Sequence, residues 1–137
     1  MRMNKKIIGV ASIIVIVSIM ILVTSDSALD ESIISQTIFV DAVYEPKNKI
    51  VRITYNDNSE MTNLITLEVL GMEKTFHKEF SQSSFVEIIE INSEPKYGWS
   101  ITPVVFSINH DQFGKIGLKT EIYEQGESKP RIIYSKI

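Results

Sequence analysis

Residues 50–56 read IVRITYN, and this stretch shows most clearly how the chain folds. Its apolar residues Val51, Ile53 and Tyr55 alternate with polar residues. Successive side chains of a strand point to opposite faces, so this period of two predicts a strand with one face on a core and the other in solvent.

The same period recurs along the chain from residue 38 to the end. Turn-forming residues such as proline, glycine and asparagine separate the apolar-alternating stretches, and no amphipathic helix lies between them. The stretches are 38–44, 51–55, 65–69, 76–80, 84–91, 104–108, 116–122 and 132–134. This spacing predicts an all-β protein, an antiparallel β-sandwich of about 7–8 strands over residues 38–137.

The strand number and spacing resemble those of immunoglobulin-like and fibronectin-III-like domains of exported, membrane-anchored prokaryotic proteins. The resemblance covers residues 38–137 and rests on no signature motif, because the chain has no cysteine pair and its tryptophan, Trp99, comes late. It implies a sandwich that acts as a spacer, an adhesion unit or a subunit of an envelope complex, and it assigns no functional residue.

A charge-free apolar segment of seventeen residues, Ile7–Val23, precedes the predicted sandwich. Basic residues occur in the preceding segment 1–6, and acidic residues follow, so we expect a cytoplasmic N-terminus and an extracytoplasmic C-terminal domain. The length favours an uncleaved transmembrane anchor. The alternative is a signal peptide cleaved after Ser27, which would release a secreted protein.

Residues 24–37 are polar and read as a linker between the anchor and the sandwich. An apolar N-terminal helix followed by a β-sandwich also resembles the layout of archaeal filament subunits of the pilin and archaellin type. The resemblance is one of layout, because Lys6 is followed by Ile7 and Ile8 instead of the small residue that their processing site requires.

Composition narrows the range of partners. Beyond Val23 the chain carries eleven basic and seventeen acidic residues, a formal charge of −6. A negative domain without a basic stripe is a poor partner for nucleic acid. The absence of cysteine from the sequence excludes disulfides, thiol catalysis and cysteine-based metal sites.

The oxygen-rich turn with Asp57, Asn58 and Glu60 is a candidate calcium site, because short turns of this kind can wrap a hard cation. The same residues are also typical of an ordinary turn.

A second candidate site would bind a transition metal. His77 and Glu79 are two residues apart on one predicted strand, so both face the same way, and His110 would be the third ligand.

Three aromatic residues, Tyr97, Trp99 and Phe113, form a candidate interaction surface for a protein or a glycan. The alternative is that Trp99 closes one end of the core. Neither histidine belongs to a recognisable catalytic motif, so we expect no catalytic residue and no cofactor.

The expected function is that of a non-enzymatic, membrane-anchored envelope protein whose sandwich contacts another protein or serves as a structural subunit. A binding module for calcium or a surface glycan is the alternative, and a filament subunit is the minor one.

Overall fold

The computed structural model describes residues 29–137. The segments 1–6 and 7–23, the cleavage position at Ser27 and the first part of the linker 24–37 lie outside the described residues. Within residues 29–137, none of the helices has the length and apolar character needed to cross a membrane.

The described chain is predominantly β, with one short helix at its start. Helix α1 spans Glu31–Thr37, and a 3₁₀ turn spans Trp99–Ile101. The strands are β1 Ile38–Glu45, β2 Ile50–Asp57, β3 Thr62–Val69, β4 Phe76–Phe80, β5 Ser84–Glu90, β6 Pro103–His110, β7 Gly114–Glu121, β8 Tyr123–Glu124 and β9 Ile133–Lys136.

Two sheets form a β-sandwich-like fold, as predicted. The first has the strand order β5-β2-β1-β8 and the second the order β4-β3-β6-β7-β9. The described residues contain nine strands instead of the predicted 7–8, because the short strand β8 was not foreseen. That strand pairs with β1 in parallel, with Val43 opposite Tyr123, whereas the other strand pairs are antiparallel.

The core lies between the sheets and is built from alternate residues of the long strands. In β2 the side chains of Val51, Ile53 and Tyr55 are fully buried, and the residues between them are partly or fully exposed. Full burial of one such aliphatic side chain stabilises the fold by about 1.5–3 kcal/mol. The hydrophobic alternation that predicts the strands is therefore also the source of the core.

The first strand defines the two ends of the sandwich. The α1 end is where β1 begins, at Ile38, and the Trp99 end is where β1 finishes and Tyr44 contacts the indole ring. A strand of eight residues separates them by about 23 Å.

Helix α1 belongs to the packed domain. Its residue Ile34 is buried, and the carbonyl oxygen of Thr37 accepts a hydrogen bond from the Asn58 N–H at 2.9 Å. Residues 31–37 of the predicted linker are thus held against the sandwich at its α1 end.

Candidate functional site

Trp99 stands at one end of the sandwich because of the turn that precedes it. The Gly98 N–H donates to the Pro95 carbonyl oxygen at 3.1 Å, and Gly98 has a φ of 89°, which a residue with a side chain rarely adopts. The 3₁₀ turn then closes with a 3.0 Å hydrogen bond from the Thr102 N–H to the Trp99 carbonyl oxygen. The indole ring packs on the Tyr44 ring with centroids 4.7 Å apart.

Gly71 lets the loop after β3 approach this 3₁₀ turn. Its φ is 77°, and a Cβ atom at this position would collide with the Ile101 carbonyl oxygen. A glycine is therefore required here for both conformation and space. The close approach sets the distance between the loop after β3 and the turn that carries Trp99.

Two adjoining clefts open at the Trp99 end, and Trp99 and Glu94 line both. The larger cleft has a volume of about 850 Å³ and lies between segments 71–76 and 89–97. The smaller cleft, about 450 Å³, is bordered by segment 121–124 and by residues of the loop that follows β8. Both volumes are in the range of known ligand sites, roughly 300–1,000 Å³.

The two clefts differ in chemistry. Among the residues that line the larger cleft, Tyr97 is 74% and Ile101 48% exposed, so apolar surface faces solvent there. Lysines and glutamates both occur at its rim. The smaller cleft is lined by four carboxylates and by no lysine, arginine or histidine, and these carboxylates belong to Glu94, Glu121, Glu124 and Glu127.

None of these four carboxylates forms an ion pair with a basic residue of the described chain. Their influence reaches Tyr44, whose pKa is raised by burial, by a hydrogen bond to Glu94 and by the charges of Glu94 and Glu124. Tyr123, at the edge of the smaller cleft, has its pKa raised to about 12 by burial and by its hydrogen bond to Asp41. The smaller cleft therefore combines the Trp99 ring with carboxylates that have no ion pair in the described chain.

A second cluster of polar residues lies at the α1 end and is buried. The side chains of Asp57 and His110 are fully enclosed, and Nε2 of His110 lies 2.9 Å from Oδ2 of Asp57. Asp57 accepts four further hydrogen bonds, from the Ser59 N–H and hydroxyl, the Met61 N–H and the Thr62 hydroxyl. Burial raises the pKa of Asp57, but the bonds from Ser59 and Thr62 outweigh it, and the net pKa is lowered.

The partners of His110 assign its tautomer. Nδ1 accepts the N–H groups of Gln112 at 3.1 Å and Phe113 at 3.2 Å, so it carries no hydrogen. The hydrogen is therefore on Nε2, which donates to Asp57. The Thr62 hydroxyl donates to Asp57 at 2.6 Å and accepts from the Tyr55 hydroxyl at 2.8 Å.

Ser59, His110 and Asp57 are the residue types of a hydrolytic triad, but their arrangement differs from it. In a triad, serine and aspartate bind opposite nitrogens of the imidazole. Here the Ser59 hydroxyl and the Asp57 carboxylate both meet Nε2, at 3.2 and 2.9 Å. The Ser59 hydroxyl also donates directly to Asp57 at 2.6 Å, so it has no free base to activate it. The cluster is therefore a hydrogen-bond network whose geometry differs from that of a hydrolytic triad.

The calcium candidates do not converge. Both Asp57 oxygens already accept hydrogen bonds within the chain, and the Asn58 side-chain oxygen accepts from the Asn56 amide at 2.9 Å. Glu60 is exposed and has a positive φ of 57° in the turn. These hydrogen bonds are typical of an ordinary turn, which is the alternative to a calcium site.

The transition-metal candidates are also far apart. His77 lies opposite Glu68 on β3, whereas His110 lies opposite Thr62, and six residues of strand correspond to about 20 Å. His77 and Glu79 are exposed, whereas His110 points into the core. In the part of the chain that the structure describes, no group of three His, Cys, Asp or Glu residues is placed to hold a metal ion.

The three aromatic candidates divide between the two ends. Tyr97 and Trp99 line the larger cleft. Phe113 lies at the α1 end, stacked on His110 with centroids 4.5 Å apart. Trp99 packs against Tyr44 and also borders the clefts. Its position therefore agrees in part with closing one end of the core and in part with belonging to an exposed surface.

Sequence reasoning missed the carboxylates around Trp99 and the buried pair. A signal for the pair was present, because Asp57 is in phase with Tyr55 and His110 is in phase with Ile108 on their strands. No comparable pattern connects Glu94 with the glutamates of segment 121–127, which come together only through the fold.

Searches against protein-family models, curated proteins and solved structures find no match to this chain.

Proposed function

We propose that the protein is a membrane-tethered envelope protein whose extracytoplasmic sandwich contacts another protein through the Trp99 end. The observation that carries this proposal is the position of the two clefts, at the end of the sandwich opposite α1. Within the sandwich, strand β1 separates these clefts from the α1 end by about 23 Å.

The strand partition supports an immunoglobulin-like architecture for this module. The first, second and fifth strands share one sheet, and the third, sixth and seventh share the other, as strands A, B, E and C, F, G do in immunoglobulin domains. The fourth strand pairs with the third instead of joining the first sheet. Domains of this architecture commonly present recognition surfaces at the ends of the sandwich.

The proposed role is non-enzymatic. In the cluster of Asp57, Ser59 and His110, the side chains of Asp57 and His110 are enclosed and the Ser59 hydroxyl donates to Asp57, which supports a structural role. The clefts of the Trp99 end offer aromatic surface and carboxylates, which suit recognition by contact.

Two measurements test the proposal. We expect the full chain to fractionate with membranes and to be cleaved by protease added from outside; recovery of intact protein only in the cytosol would exclude the tether. A photo-reactive residue at Tyr97 should give a crosslinked protein adduct identifiable by mass spectrometry, and the same residue at Glu79, exposed on β4, is the matched control. Equal adducts from both positions would contradict a role for the Trp99 end.

A surface glycan is the second candidate ligand, because sugars stack on exposed aromatic rings and Tyr97 is 74% exposed beside Trp99. Binding of a glycan in an array, lost on Trp99→Ala, would favour this candidate over a protein partner.

A further inference from the structure

We infer that the two clefts bind an extended segment of the protein partner, with an apolar side chain in the larger cleft and a lysine or arginine in the smaller. This inference rests on the proposed function and specifies the chemistry of the partner. The argument combines the apolar surface of the larger cleft with the charge of the smaller one.

Charge complementarity identifies the cationic group. The carboxylates of Glu94, Glu121, Glu124 and Glu127 border one small cleft, and none is paired with a basic residue of the described chain. Bringing a cation among them relieves like-charge repulsion as well as adding attraction. The indole of Trp99 on the same wall favours a cation further, since the ring face is negative.

Apolar surface identifies the second group. Ile101 and Tyr97 are exposed in the larger cleft, and Met72 and Ile91 line it as well. An apolar side chain placed there removes this surface from water, which contributes about 25 cal/mol per Å² of buried area. Since the cleft has both lysines and glutamates at its rim, it does not select a charge of its own.

The relation between the clefts identifies the extended shape. They share Trp99 and Glu94, so their occupants are neighbours. In an extended chain, residues i and i+2 project to the same side about 6.6 Å apart. An apolar residue and a basic residue separated by one position would therefore occupy both clefts at once.

The test uses the full chain in mild detergent and the fluorescence of Trp99, the one tryptophan in the sequence. The probe is the blocked peptide Ser-Phe-Ser-Lys-Ser-Phe-Ser-Lys-Ser, and its control has Glu in place of Lys. We expect a saturable change in emission with the Lys peptide below about 1 mM and none with the Glu peptide. Higher salt, from about 0.05 to 0.5 M, should weaken binding.

Two charge-matched variants locate the cation. Glu121→Gln combined with Glu127→Gln should weaken binding about fivefold, since each pair lost is worth a modest amount at a surface. Glu60→Gln combined with Glu79→Gln removes the same charge elsewhere and should leave the affinity unchanged. Thermal melting of both variants confirms that they are folded.

Several results would overturn the inference. These are no response to the Lys peptide, equal affinity for the Glu peptide, or equal loss in both double variants. A Trp99 spectrum that depends on protein concentration without peptide would assign the clefts to a second copy of the chain. If the Tyr97 crosslink to a protein persists while the Lys peptide fails, the proposed function stands and the cationic partner does not.

Discussion

Replacing Asp57 by alanine tests whether the buried network stabilises the fold. The substitution removes the acceptor of five hydrogen bonds, which come from the N–H groups of Ser59 and Met61, the hydroxyls of Ser59 and Thr62, and Nε2 of His110; Nε2 keeps only its 3.2 Å contact with the Ser59 hydroxyl. A buried donor left without an acceptor costs about 1–3 kcal/mol, and a donor that water can reach costs less. Two of the five bonds are buried and three are part-buried, so we expect a loss of about 3–5 kcal/mol in the free energy of unfolding.

The assay is urea unfolding of the full chain, followed by Trp99 fluorescence. With a urea dependence of about 1.5 kcal/mol/M, the midpoint of the Asp57→Ala variant should fall by about 2–3 M. Asp111→Asn is the control, because Asp111 is exposed and accepts one side-chain hydrogen bond, from Asn63 at 2.6 Å. A loss below about 1 kcal/mol for Asp57→Ala would refute a stabilising role for the network.

The same carboxylate makes stability depend on pH, with a defined sign. The pKa of Asp57 is lowered in the folded state, so its contribution is fully present above the unfolded value of about 3.9 and is lost as the pH falls through the lower, folded value. Between pH 5 and pH 2, the urea midpoint of the natural chain should therefore fall more steeply than that of Asp57→Ala. Parallel curves would show that Asp57 does not carry this dependence.

Two further substitutions test the loop at the Trp99 end and the core. Gly71→Ala should destabilise the fold by about 1–3 kcal/mol and shift Trp99 emission, because its Cβ collides with the Ile101 carbonyl oxygen. Gly126→Ala is the control, because Gly126 also has a positive φ but lies in open space. It should cost only the backbone strain of the positive φ. Ile53→Ala should cost about 2–5 kcal/mol in a urea titration, because Ile53 is fully buried, whereas Val86→Ala on the exposed face should cost about 0.5 kcal/mol or less. A similar cost for both aliphatic substitutions would contradict the assignment of the core.

The strands were predictable because their signal is local. The alternation in residues 51–55 predicts a strand whose observed bounds are Ile50–Asp57, and the stretch 104–108 similarly lies within Pro103–His110. An apolar residue at every second position predicts a strand with one buried face. The ends were underestimated because the inward positions at strand ends carry polar residues, such as Asp57 and His110, which hydrophobicity does not mark.

Long-range pairings were not predictable in this way. Strand β8 has two residues and pairs in parallel with β1, about eighty positions earlier in the chain. Two residues contain no period, and parallel pairing depends on how the intervening chain crosses the sandwich. Trp99 and Phe113 do not share the predicted interaction surface, because the eight-residue strand β6 lies between them in the chain and places them at opposite ends of the sandwich.

Polar groups are buried at the α1 end of the sandwich and exposed at the Trp99 end. We therefore expect the α1 end to contribute to the stability of the fold and the Trp99 end to contribute to binding. At the α1 end, Asp57 and His110 have no exposed side-chain surface, and their hydrogen bonds are made within the domain. At the Trp99 end, Glu121 and Glu127 are exposed and lack a basic partner in the described chain. A buried network with satisfied partners rigidifies a fold, whereas surface carboxylates without partners add little to it.

Neutralising the two glutamates should therefore weaken peptide binding while leaving the urea midpoint nearly unchanged. Asp57→Ala should lower the midpoint and, at a urea concentration where the variant is still folded, leave peptide affinity unchanged. If either substitution altered both quantities, the two ends would be energetically coupled and this division would fail.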